Sequence, residues 1–462
     1  MDKSNYSTHR NPSFFGLIGV SQENITPPVG IYARNWGAAL HDVADGIHKP
    51  LMLVCMTFQT SKDEKPLILI SADLGWWKSA DDESFVRNGI LATLGLEPWQ
   101  LMICLSHTHA GPSLSRGDRL KQGGEFIESY LLKIQQSAID SIKRALSITV
   151  PATLSWLYGK CSLATNRDLH ELGNKRIVVG FNPDKDADDT LLVGRISGHD
   201  GRVIGTIVNY ACHPTTLAWS NRLISPDYIG AMREIVELKM QNAPCLFLQG
   251  ASGELAPAEQ YVGDVAIADA YGRQLGYEVL ATLEAMLPPN TELIFDKVVE
   301  SGASLAVWKQ SEYTPSKILL AEMINVKIPL KPLPSLSVIK QEWEECEDRV
   351  LKERLWRKLN IRKAVGDKDN ASVPLWIWRL GDSFLVGQPN EAYSNYQIKL
   401  RKSFPQYAVG VVNVVNGHFG YLPDSGLYDH DAYSVWQTPF EKGSLELLIK
   451  TTKDNMQKLV KT

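Results

Sequence analysis

Four histidines stand where an apolar run ends and the chain turns. Ser106-His107-Thr108-His109-Ala110-Gly111-Pro112 closes the run 101–105, and Cys212-His213-Pro214 closes 203–211. Imidazole is largely neutral near pH 7, and zinc accepts neutral imidazoles delivered by separate strands. On an extended chain alternate residues share a side, so His107 and His109 are expected to face one cavity. A third run, 245–248, enters Gln249-Gly250-Ala251-Ser252-Gly253-Glu254-Leu255-Ala256-Pro257, a small-residue loop whose amides could approach a ligand closely. No Lys-Ser or Lys-Thr follows those glycines, so the loop is not a phosphate cradle. The run 384–386 leads to Pro389-Asn390-Glu391, and 409–415 leads to Asn416-Gly417-His418 and Gly420-Tyr421. Strand ends of this kind read as one rim. Ser225-Pro226-Asp227 adds a carboxylate that could orient a ligand histidine or serve as a base, and Glu254 is a second candidate base. His9, His41, His48, His170, His199 and His430 have no second ligand type at a suggestive spacing and read as surface or structural.

The elements that must hold these residues follow from periodicity. Apolar, β-branched runs at 51–57, 67–72, 101–105, 203–211, 245–248, 375–379, 384–386 and 409–415 predict strands. Ile127, Leu131, Ile134, Ala138, Ile142 and Ala145 recur at three- and four-residue steps and predict an amphipathic helix. Further helices are expected over 265–287, stopped by Pro288 and Pro289, and over 445–460. The alternation predicts an α/β chain of the layered α+β kind, with mixed β-sheets flanked by helices. The segment 335–369 is dense in charge and is expected to be a helical insertion, one or two solvated surface helices behind the loop marked by Pro329, Pro332 and Pro334. No internal repeat is evident.

Composition narrows the function classes. The chain has 462 residues, 44% hydrophobic and 22% charged, with a formal charge of −4. That balance argues against nucleic acid as a partner, which calls for a basic face. No run approaches the ~20 apolar residues of a membrane span, so no integral membrane association is expected. The first apolar run, 14–20, contains Gly16 and Gly19 and makes a poor signal-peptide core, so a cytoplasmic location is expected. Cys55, Cys104, Cys161, Cys212, Cys245 and Cys346 form no C-x-x-C pair and read as mostly buried free thiols.

Taken in order, these motifs resemble the catalytic domain of the neutral/alkaline, non-lysosomal ceramidase family. The resemblance rests on Ile25-Thr26-Pro27-Pro28-Val29-Gly30, Gly46-Ile47-His48, Ser71-Ala72-Asp73-Leu74, Ser106 to Pro112, Asn209-Tyr210-Ala211-Cys212-His213, Ser225 to Gly230, Gly253 to Pro257, Pro389-Asn390-Glu391 and Gly420-Tyr421. It implies one continuous catalytic unit over 1–462 and one zinc ion per chain, held by His107, His213, Glu391 and Tyr421. It gives His109 a part in proton transfer or substrate orientation, and the reaction is amide hydrolysis by a water activated on zinc. Two departures stand out. Where the family has Gly-Asp-Val-Ser-Pro, this chain has Glu254 for the aspartate and Ala256 for the catalytic serine, and it is too short for the family's C-terminal immunoglobulin-like domain. The expectation is therefore a zinc hydrolase acting on an amide, or an ester or lactone, of a small soluble metabolite. His109, the 250–253 amides and Arg167 in Asn166-Arg167 are the candidate oxyanion donors. A true ceramidase and a metal-binding homologue without turnover are the alternatives.

Overall fold

The computed structural model describes residues 8–171, 173 and 176–462. Its larger sheet has eight strands, in the order Cys245–Gln249, Val203–Tyr210, Thr190–Gly198, Val150–Lys160, Ser13–Asn24, Met52–Gln59, Leu67–Ala72 and Leu101–Leu105. The pair at each end is parallel and the pairings between are antiparallel. A second sheet has four strands, Leu319–Pro329, Asn370–Leu380, Ser383–Gly387 and Ala408–Val412, with its last pair parallel. This is the mixed, layered α/β architecture expected.

Period-two alternation explains the layering. Within Leu67–Ala72, Leu67 and Leu69 point one way and Ile68 and Ile70 the other. The first pair joins Phe14, Met102, Leu192 and Leu248 in a core shared with Trp376, Trp378, Leu385 and Val412 of the second sheet. The second pair packs under the helices Ala80–Leu94 and Ile127–Ser147. Further along the same sheet, Val208, Cys245 and Phe247 lie under Tyr228–Lys239 and Val265–Glu284. The outer face of the second sheet carries Val373, Leu375 and Ile377, covered by Asn395–Ser403 and Ser444–Lys461. The layers therefore run helix, sheet, sheet, helix, with both faces of the inner strands buried and the edge strand Leu319–Pro329 only partly so. That is why the strands read as nearly continuous apolar runs.

The charged segment departs from expectation. It forms Leu336–Glu345 and Arg349–Val365, but the second helix buries Leu355, Leu359, Ile361, Arg362 and Val365. Its exposed-looking charges conceal one wall of the main cavity. The free cysteines are buried except Cys346, which is partly exposed.

Candidate metal centre

The five strand ends singled out in the sequence come together at the seam between the two sheets. Leu101–Leu105, Val203–Tyr210 and Cys245–Gln249 deliver His107, His213 and the Gly250–Glu254 loop from the larger sheet. Ser383–Gly387 and Ala408–Val412 deliver Glu391, His418 and Tyr421 from the smaller. Short parallel pairing of Glu391–Ala392 with Tyr421–Leu422 fixes the last two loops side by side.

Backbone geometry here is costly. His107 has φ 70°, Tyr261 67°, Val414 56° and Asn416 49°, all in the left-handed region that side chains disfavour. Strain of this sort persists only where surrounding structure over-determines it, and it gathers at functional sites. It also corrects one expectation: His107 is not on an extended chain, so simple alternation does not aim it. Its amide is instead tied to the Leu74 carbonyl at 2.8 Å.

The imidazoles are held from behind. His107 Nδ1 donates to the Gly75 carbonyl at 3.1 Å, and His213 Nδ1 to the Ser252 carbonyl at 2.6 Å. A carbonyl only accepts, so these bonds fix the proton on Nδ1 and turn each Nε2 inward. There His213 Nε2 lies 2.9 Å and His107 Nε2 3.4 Å from the same oxygen of Glu391. His418 Nε2 contacts the other Glu391 oxygen at 2.8 Å and sets the carboxylate's angle. Burial and the Arg167 guanidinium push His213 down to about 3, so its ring is neutral at pH 7. Burial would raise Glu391, but the histidines around it outweigh that and hold it well below the usual carboxylate range. An imidazole lone pair therefore faces a carboxylate oxygen at contact distance, an arrangement that a cation between them makes favourable. His109 completes the group: the ligand atoms of His107, His109 and His213 lie within 4.8 Å of one another, and the trio could hold a metal ion. Among the described residues, neither ring nitrogen of His109 has a hydrogen-bond partner, and burial holds its pKa well below the ordinary value.

The other sequence candidates divide. Arg167 is in the site: its guanidinium donates to the Gly253 carbonyl at 2.8 and 3.2 Å, to Tyr421 Oη at 3.1 Å and to His213 Nε2 at 3.2 Å. The Tyr421 phenol is buried beside Glu391, and both effects keep it protonated. Asp227 does not meet His213. Its carboxylate accepts from the Leu217 and Tyr228 amides at 2.9 and 2.7 Å and caps a helix, with burial raising it to about 6. The orienting role falls to the Ser252 carbonyl. Glu254 turns away from the cavity to accept from the Ser394 amide at 2.9 and 3.0 Å, and burial raises it to about 8. The 250–253 loop offers few donors: the amides of Gly250, Ala251 and Gly253 are engaged by Tyr210 O, Gln397 Oε1 and Ala392 O. Gly253 itself is required, because a Cβ there would sit 2.4 Å from the Tyr393 ring. Ala256 is fully buried and brings no hydroxyl.

In front of the centre lies a cavity of about 500 Å³, walled by Trp36, Trp76, Trp219, Tyr261 and Trp356. Trp76 and Trp36 flank His109 with ring centroids 4.8 and 5.1 Å away. Sequence reasoning missed these aromatics, which no spacing connects. His418 stood in a flagged motif without a role.

No protein-family model matches the chain, and no curated protein does. Solved structures do. The crystal structure of neutral ceramidase from Pseudomonas aeruginosa superposes with a TM-score of 0.67 at 17% identity, covering 96% of this chain and 74% of that one. The chain has the neutral ceramidase fold. A second such structure, a ceramidase complexed with C2, gives a TM-score of 0.68 at 16% identity over the same shares. At these identities the likeness to the ceramidases is one of fold. Among the described residues, no helix is long and apolar enough to cross a membrane.

Proposed function

We propose that this chain is a zinc-dependent hydrolase cleaving an amide, or a related ester or lactone, in a small molecule. The observation carrying this reading is the convergence of two tautomer-fixed imidazoles and Glu391 on one point. The ceramidase fold supports an amide as the target. His107, His213 and Glu391 would hold the ion, with Tyr421 as the fourth ligand. Zinc, when bound, supplies Lewis acidity and acidifies a water to near pH 7.

The chain's own groups supply the rest. His109, whose ring nitrogens have no hydrogen-bond partner among the described residues, would carry a proton between the attacking water and the departing nitrogen. Arg167 is rigidly anchored on the Gly253 carbonyl and puts a fixed positive charge beside Tyr421, where negative charge on the carbonyl oxygen would develop. In this reading it takes over the electrostatic work of the serine replaced by Ala256. Asp227 and Glu254 have supporting roles, one capping a helix and the other fixing the Ser394 turn. The cavity lies within the about 300–1,000 Å³ usual for small-molecule sites, which favours a metabolite over a two-chain lipid.

The test is metal content together with turnover. About one zinc per chain, with hydrolysis of small amides or esters that His107→Ala abolishes, supports the reading. Stoichiometric zinc without hydrolysis across an amide, ester and lactone panel makes the chain a metal-binding homologue instead. Cleavage of a fluorescent ceramide in detergent would assign it ceramidase activity.

A further inference from the structure

The cavity wall carries an excess of positive charge. Lys78, Arg167, Arg354 and Arg357 face it, against the carboxylates of Glu353 and Glu391. Most of these cations are occupied. Arg167 is committed to Gly253, Tyr421 and His213. Arg357 donates to the Asn35 carbonyl at 2.8 Å and to Glu353 and Tyr433 at 3.2 Å each. Arg354 sits at the exposed mouth over Trp436.

Lys78 differs. Its side chain is only 3% exposed, yet among the described residues its ammonium makes one long hydrogen bond, 3.4 Å to the Arg34 carbonyl. The nearest carboxylate oxygen, on Asp118, is 4.0 Å away, and that aspartate already accepts from Lys121 at 2.8 Å and Ser113 at 2.7 Å. Glu353, the other acid nearby, is paired with Arg357. An ammonium has three donors, and burying one so thinly partnered is costly. Rings surround it: Trp356, Trp76 and Tyr32 lie 5.6, 5.7 and 5.9 Å from Nζ. Trp76 also meets His109 with ring centroids 4.8 Å apart and tilted by 43°, so the unspent cation sits one indole away from the candidate metal centre.

We propose that Lys78 is the specificity-determining residue of this cavity, binding the free carboxylate of a flat amide whose body lies along Trp76. The inference rests on the hydrolase reading and names its substrate class: small amides bearing an anionic group about one aromatic ring away from the scissile bond. The buried carboxylate would give Lys78 its missing acceptor, a charge-assisted pair in a site of low dielectric. The aromatic walls would take the ring by stacking.

Isothermal titration of the full-length protein tests this with two probes, 4-acetamidobenzoate and its neutral counterpart 4-acetamidobenzamide. The wild type is expected to bind the acid at least tenfold more tightly. Lys78→Met, which keeps the buried stem, is expected to abolish that preference, and Lys78→Arg to retain it. Direct carboxylate–metal contact would leave the preference intact in Lys78→Met, and that result overturns the proposal. Equal affinities in the wild type, or no saturable binding of either probe, overturn it as well. If Lys78→Met does not fold, Lys78→Gln carries the same comparison. Acid preference without turnover would sink the hydrolase reading and leave the anion site standing. Turnover of both probes without preference would do the reverse.

Discussion

Asn416 allows the support of the candidate metal centre to be measured. Its side-chain carbonyl accepts from the Ile103 amide at 2.9 Å, and its Nδ2 donates to the Leu101 carbonyl at 2.8 Å. Leu101–Leu105 is the edge strand of its sheet and leads straight into His107, so this side chain, with the Asn416 amide on the Ile103 carbonyl at 3.1 Å, closes the edge that leads to a candidate ligand. Asn416→Ala leaves a buried N–H and a buried C=O without partners. Each costs about 1–3 kcal/mol. Alanine at φ 49° adds about 1 kcal/mol that asparagine largely escapes. The sum is about 3–7 kcal/mol, a large part of the about 5–15 kcal/mol that holds a typical domain together. Urea unfolding of the variant is expected to show that loss. Asn416→Gly relieves only the backbone term and should recover about 1 kcal/mol. Zinc affinity measured alongside should fall, because His107 loses its reference strand. An Asn416→Ala protein within about 0.5 kcal/mol of wild type, the scatter of ordinary surface changes, would refute the argument.

Other substitutions probe different links. Arg167→Met should lower kcat/KM by about a hundredfold or more while zinc content is preserved, and Arg167→Lys should not rescue it because an ammonium cannot reproduce the fork on Gly253. Steady-state kinetics with metal analysis reads both. Gly253→Ala should cost about 1–3 kcal/mol and weaken zinc binding, since the new Cβ would press on Tyr393 and, at 3.0 Å, on the Glu391 carbonyl; thermal unfolding with and without chelator decides it. Glu254 has a folded pKa of about 8 against an ordinary 4.5. The fold therefore binds more protons than the unfolded chain between those values. Its contribution is full below about pH 4.5 and declines as pH rises towards 8, by about 1.4 kcal/mol per unit. Glu254→Gln lacks this slope, so its stability relative to wild type should climb between pH 5 and 8 in urea titrations. A flat difference would show that Glu254 is ionised throughout.

The strand ends were legible because burial on both faces writes itself as apolar runs. The runs 67–72 and 101–105 match their strands residue for residue. Ile127–Ser147 was equally plain, with its apolar face at helical spacing. Ala80–Leu94 was not, since Asp81, Asp82, Glu83 and Gly89 dilute its apolar face. The Arg349–Val365 helix read as solvated because its charges line a cavity, and composition does not separate an aqueous pocket from bulk water. Asp227 and Glu254 illustrate another limit. A carboxylate beside a histidine motif can serve a ligand or a backbone amide, and only the fold decides which amide lies closer.

The position of the centre across the seam has a consequence for how the protein is made. His107 and His213 belong to the sheet whose last strand ends at Gln249, whereas Glu391 and Tyr421 arrive with the other sheet, near the end of the chain. During synthesis the amino-terminal portion emerges first and begins to fold first. Until Glu391 has left the ribosome, the growing chain holds the two imidazoles without the carboxylate that meets them, and Tyr421 follows later still. In the proposed reading, no shorter length carries all four proposed ligands. An ion held by these residues would, in that reading, join the two sheets.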